Sequence, residues 1–191
     1  MMKDISRMVL VLATVCLAAA LGLSKIYDMT KAPIAEAMRQ EKLSAIKAVL
    51  PAYDNQPDVD AVDSGGATYY IGMNEGTVNG VAFEVSSMQG YAGLITAMVG
   101  VTPAGDVTGV RVLSHAETPG LGAKFTGEEY LSMFKGKNLS AAKWAVKKDG
   151  GDFDQITCAT ISPRALVGAV KAGLEGFSRA ASSLGIVKGG E

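Results

Sequence analysis

Ala92-Gly-Leu-Ile-Thr-Ala-Met-Val-Gly-Val101 and Val107-Thr-Gly-Val-Arg-Val-Leu113, joined through Pro103-Ala-Gly-Asp106, form the stretch that decides the fold class. Both runs are rich in Val, Ile and Thr, which suit a pleated, half-buried surface, and the proline–glycine segment between them is a turn. The pair therefore predicts a β-hairpin. Upstream, residues 67–73 and 78–85 have the same character, with Asn79-Gly80 read as turn residues. Downstream the period changes. Apolar side chains at Leu166, Val170, Leu174, Phe177, Ala181 and Leu184 recur every three or four residues, which predicts a helix with one buried stripe. Ser162-Pro163 reads as its N-cap and first helical residue. Residues 127–134 read as a short helix, 143–148 as a strand carrying Trp144, and Gly150-Gly151 as a turn. Glycine, at 23 of 191 residues and without period, suits a turn-rich α+β domain.

Working outward to the N-terminus, residues 8–24 are 17 consecutive uncharged positions rich in Leu, Val and Ala. That is the short end of what crosses a bilayer, and Arg7 and Lys25 at its ends can snorkel outward. A cleaved signal peptide competes, since Lys3 and Arg7 form a basic leader and Ala18-Ala19-Ala20 offers small residues. The apolar run exceeds a usual signal core and continues past the alanines, which favours a retained anchor. Basic residues flank both ends (Lys3 and Arg7 before; Lys25, Lys31, Arg39 and Lys42 after), so charge does not set the orientation. Residues 31–50 follow as a helix with a narrow apolar face stopped by Pro51, and 54–66 as a loop. The organisation expected is an anchor over 1–30, a connecting amphipathic helix over 31–50 and one domain over 51–191.

Composition excludes some functions. A net charge of −1 with no arginine-rich stripe argues against nucleic acid, and two cysteines with a single histidine, His115, provide no zinc-type spacing. Phosphate-loop, dinucleotide and Gly-x-Ser-x-Gly signatures are absent from the sequence. Two segments draw attention instead. Residues 114–125 are a long irregular connection, and in it Glu117-Thr118-Pro119-Gly120-Leu121-Gly122 combines a rigid residue with permissive glycines, so that backbone N–H groups can approach a flat or anionic ligand. His115 and Glu117 could form an acid–base pair, though a lone histidine at a strand end more often packs. The second segment is Asp154-Gln-Ile-Thr-Cys-Ala-Thr160, which delivers a hydroxyl to the mouth of a helix whose orphan N–H groups and dipole favour a phosphate. The plain alternative is that Thr157, Thr160 and Ser162 only cap that helix.

The succession Gly90-Tyr91-Ala92-Gly93, Glu117 through Gly122, and Asp154 through Thr160 resembles the flavin-binding subunit family of membrane electron-transport complexes. Its members are the G subunit of the Rnf ferredoxin:NAD oxidoreductase and the C subunit of the sodium-pumping NADH:quinone oxidoreductase; the short length resembles the former. The resemblance covers nearly the whole chain and implies one transmembrane helix followed by an FMN-binding domain, an antiparallel sheet packed by helices. It further implies FMN carried covalently as a phosphoester on the last residue of a Ser/Thr-Gly-Ala-Thr motif, here Thr160, with Thr157 first and Ala159 third. Cys158 stands where the family has glycine, and Pro163 where a small hydroxyl residue is common. The implied cofactor site comprises Thr157, Cys158, Ala159, Thr160, Ser162, Tyr91, Gly93, Glu117, Thr118, Gly120, Leu121, Gly122 and Lys124. In it the flavin ring lies against the glycine loops, with Leu121 or Tyr91 as apolar neighbours and Lys124 as a nearby charge. Also implied are a flavin transferase for maturation, partner subunits with flavin and iron–sulfur centres, ion coupling, and a single-pass location in the cell membrane with the domain extracytoplasmic. The role is that of an electron-carrying subunit and not a stand-alone enzyme. A signal-anchored binding or assembly module without redox function is the rival of a different class.

Overall fold

The computed structural model describes residues 2–182 and 184–186. A single helix, α1 (Met2–Val49), runs continuously through the segments expected as anchor and connecting helix. Pro33 lies inside it: one missing N–H does not break a helix whose neighbours on both sides, Ala, Met, Arg, Gln and Glu, are good helix formers. Its N-terminal part is apolar on every side, with Met8, Leu10, Leu12 and Leu17 all more than 60% exposed, and it is long and apolar enough to cross a membrane. The chain divides into two compact units after Glu41.

The second unit is built on a five-stranded antiparallel meander: β1 (Val62–Ser64), β2 (Ala67–Asn74), β3 (Thr77–Gly90), β4 (Gly93–Val101) and β5 (Val107–Ser114), in that spatial order. The predicted hairpin is β4–β5, closed by a Thr102 N–H bond to Asp106 O at 2.8 Å. β1 falls within the segment read as loop; its three residues are too few to show a period. Asn79-Gly80 is not a turn. Both residues lie inside β3, where Asn79 donates to Ala52 O and Gly80 makes room for Pro51 and Leu50. The turn is Glu75-Gly76, both at positive φ (52° and 75°), the conformation that suits a two-residue hairpin.

Side-chain alternation gives the sheet two apolar faces. On one, Val81, Phe83 and Val85 of β3 and Ile95, Ala97, Val99 and Val101 of β4 pack against α3 (Ile161–Ala180). Phe177 stacks on Phe83 at 5.9 Å between ring centroids. The predicted stripe of Leu166, Val170, Leu174 and Phe177 is the buried one. On the other face Ala82 and Met98 meet Ala45, Ile46, Val49 and Leu50 from the last turns of α1 and just beyond. A bond from Thr108 Oγ1 to Val49 O, 2.5 Å, fixes that contact.

Between β5 and α3 a 3-10 turn (Gly122–Thr126) precedes the short α2 (Glu128–Ser132). The strand expected over 143–148 does not form: Val146 makes one isolated bridge with Phe153 and a 3-10 turn follows at Lys147–Asp149. Trp144 packs on Phe153 (5.1 Å) and Phe134 (6.3 Å) and donates to Asn138 O, so the segment's β-like residues serve an aromatic cluster and not a ladder.

Candidate functional site

The hydroxyl of Thr160 is positioned by the start of α3. The helix begins at Ile161 with Thr160 as N-cap residue, so Ser162 and Pro163 are the second and third helical positions and not the cap and the first. Thr160 sits in helical geometry (φ −72°, ψ −23°) and its side chain makes no capping bond; its carbonyl accepts from Arg164 N–H at 3.2 Å. Pro163 has no N–H. The first-turn amides not drawn into the helix are therefore those of Ile161 and Ser162, next to Thr160. The Ser162 hydroxyl is 1% exposed and has no hydrogen-bond partner. Buried hydroxyls are normally paired, and an orphan beside a helix N-terminus suits an anion acceptor.

The turn before α3 is held by Ala159 N–H bonding Ile156 O at 3.0 Å, and within it Cys158 adopts φ +65°. That left-handed conformation costs an L-residue roughly 1–2 kcal/mol and is the backbone angle a glycine takes freely. Cys158 is exposed. A bidentate pair steadies the far side of the turn: Arg164 Nε donates to Asp149 Oδ2 at 2.6 Å and its second nitrogen to Oδ1 at 3.0 Å. Arg164 holds the Asp149 carboxyl below the usual carboxylate range.

The second wall is the segment after β5. Glu117, 4% exposed, turns its carboxylate inward; Ala92 N–H donates to Oε1 at 3.2 Å, tying the β3–β4 hairpin to this loop. Two glycines make the space. A Cβ at Gly90 would lie 2.9 Å from Oε1, and one at Gly122 would lie 3.0 Å from Oε2. His115 takes no acid–base position toward the Glu117 carboxylate: its Nδ1 accepts the backbone N–H of Glu117 at 3.2 Å, and its ring packs edge-on against Phe125.

These pieces enclose a cleft of about 290 Å³ lined by Tyr91, Glu117, Thr118, Leu121, Gly122 and residues 158–162. The volume is at the lower edge of the roughly 300–1,000 Å³ of small-molecule clefts. Three segments far apart in sequence thus meet at one place. Thr157, exposed in the turn, Gly93 at the start of β4 (φ +111°), the exposed Gly120 (φ +75°) and Lys124, exposed on the 3-10 turn, do not line it. Ile161, absent from the sequence-derived set, does line it, 42% exposed. Its place between Thr160 and Ser162 was the available signal. Orphan donors at one end, apolar Tyr91, Leu121 and Ile161, and open access fit a phosphorylated, flat aromatic ligand.

Comparison with known proteins agrees with this chemistry. Residues 90–175 match the FMN-binding domain family. The chain is 39% identical over 182 residues to the G subunit of the ion-translocating oxidoreductase complex of Cereibacter sphaeroides, covering 89% of this chain and 83% of that one. It is 41% identical over 187 residues to the corresponding G subunit of Aliivibrio fischeri, covering 90% and 89%. Among solved structures, NqrC of Shewanella oneidensis superposes with a TM-score of 0.53 at 27% identity, over 63% of this chain and 62% of that one. The hairpin, loop and helix start that build the cleft all fall inside the matched domain, and the likeness to these G subunits extends over nine-tenths of the sequence: the chain belongs to the G-subunit family of ion-translocating oxidoreductase complexes.

Proposed function

We propose that the protein is a membrane-anchored flavoprotein subunit that carries electrons within an ion-translocating oxidoreductase complex of the Rnf type, through FMN bound as a phosphoester to Thr160. The observation that supports it best is a hydroxyl with no capping duty, Thr160, set in a cleft beside a buried, unpartnered Ser162 hydroxyl at the start of a helix, whose first amides have no intrahelical acceptor. A phosphoester on Thr160 keeps one negative charge, and a helix N-terminus stabilises such a charge by about 0.3–1 kcal/mol at an exposed site. The Ser162 hydroxyl and the Ile161 and Ser162 amides are the groups placed to hold it. Leu121, Tyr91 and Ile161 give apolar surface for a ring. When bound, the flavin supplies one- and two-electron chemistry; the chain's part is to hold it, orient it and leave one side open to a partner's redox centre. Covalent attachment makes retention independent of affinity, which suits a domain outside the cytoplasm where lost FMN is not replaced. A flavin transferase installs it, and partner subunits with flavin and iron–sulfur centres exchange its electrons.

The test is the intact mass of the denatured chain after co-expression with a flavin transferase. The expected increase equals FMN less one water, located on the peptide containing Thr160. An unmodified chain would leave the non-redox module as the better reading. For sidedness, a cysteine placed in the 54–66 segment of a chain lacking Cys16 and Cys158 should react with an impermeant reagent in intact cells; reaction only after permeabilisation would place the domain inside.

A further inference from the structure

We infer that the Glu117 carboxylate sets the reduction potential of the cleft's electron carrier, holding it low by presenting to it a negative charge that has no ion-pair partner among the described residues. This rests on the flavin reading above. Four observations carry it. Glu117 is 4% exposed and lines the cleft together with Gly122, the residue whose missing Cβ makes room for Oε2. Its carboxylate accepts from a neutral amide, Ala92 N–H to Oε1. No Lys, Arg or His among the described residues forms an ion pair with it. A Cβ at Gly122 would meet only Glu117 atoms, the nearest Oε2 at 3.0 Å, and one at Gly90 would meet Oε1 at 2.9 Å as well as the Gly93 backbone oxygen, so the loop closes tightly on this carboxylate.

Packing alone does not account for a carboxylate here. Burying an unpaired charge is costly, and a glutamine would accept the Ala92 bond equally well with no charge to desolvate. What the charge does that glutamine cannot is act through space on whatever shares the cleft. An electron taken up by the carrier from a donor centre of the complex, without a proton, adds one negative charge near Glu117; the acceptor is reduced and the donor oxidised by that one electron. Repulsion in a partly water-excluded site opposes that uptake and favours passing the electron on. The same repulsion turns the phosphoryl end of a ligand away from Glu117 and toward the start of α3, so the carboxylate also orients what binds.

The experiment is a redox titration of the full-length, flavinylated chain in detergent, wild type against Glu117→Gln. The variant keeps the oxygen that accepts from Ala92 and removes only the charge. Its first one-electron equilibrium is expected to shift toward the reduced form by on the order of tenfold, which is about 59 mV upward. An unchanged or lowered potential in a folded, flavinylated variant overturns the inference while leaving the flavin reading intact; a wild-type chain that never acquires flavin overturns both. Should the variant fail to fold or load, the wild type decides: the Glu117 side-chain ¹³C resonance must move between the oxidised and reduced protein, and an unmoved resonance overturns the inference.

Discussion

The two ends of α3 obey different rules. Toward its C-terminal half, Gly173 lies so close to the sheet that an added Cβ would collide with Val85 and lie 2.8 Å from the Phe83 ring, and Leu174 and Phe177 fill the space on either side. At the N-terminal end, Thr160 caps nothing with its side chain, Ser162 buries a hydroxyl without a partner, and Cys158 holds a left-handed backbone angle. One end is determined by packing; the other retains unsatisfied and strained groups, which persist where something outside the fold uses them.

Gly173→Ala should produce the largest effect on stability. It forces a methyl group into a filled helix–sheet contact and should cost on the order of 1–3 kcal/mol in chemical denaturation, while the cleft residues keep their arrangement. A neutral result would mean that the packed end is no tighter than the open one.

Cys158→Gly should act in the opposite direction and more weakly. Relief of the left-handed residue contributes about 1–2 kcal/mol and the added unfolded-state freedom of glycine removes about 0.5–1, leaving a gain between about 0 and 1.5 kcal/mol. The denaturation midpoint should rise slightly; a drop would show that the Cys158 side chain makes a stabilising contact that outweighs its backbone cost.

The contrast also explains what could be read from residue order. The stripe from Leu166 to Phe177 is periodic, the β4–β5 hairpin is two β-rich runs around a turn, and the N-terminal helix is an unbroken apolar run; such local signals survive without coordinates. No local pattern says that Tyr91, the Glu117–Gly122 loop and residues 158–162 approach one cleft; only the family resemblance named these three distant segments together. Local rules failed where tertiary contact overrode them. Asn79-Gly80 has the chemistry of a turn, yet Gly80 is needed under Pro51. Residues 143–148 have the composition of a strand, yet Trp144 is drawn to Phe134 and Phe153. Ser162-Pro163 looks like a helix start, yet Thr160 already has helical angles, which moves Ser162 from a solvated cap to a buried orphan. Nothing in the one-dimensional pattern marked Glu117 as buried, since its space is made by Gly90 and Gly122 from two other places in the chain.

Thr160→Val should have the smallest effect on stability, because the cap of α3 makes no side-chain bond to lose. Its effect on function should be complete. The direct test compares Thr160→Val with Thr157→Val, both as full-length chains co-expressed with a flavin transferase, denatured, and read for flavin fluorescence on the separated polypeptide. Thr157, exposed and outside the cleft, should leave the fluorescence in place when changed, and Thr160→Val should abolish it in a protein that still folds. A fluorescent Thr160→Val chain would contradict the assignment of Thr160 as the residue that holds the cofactor.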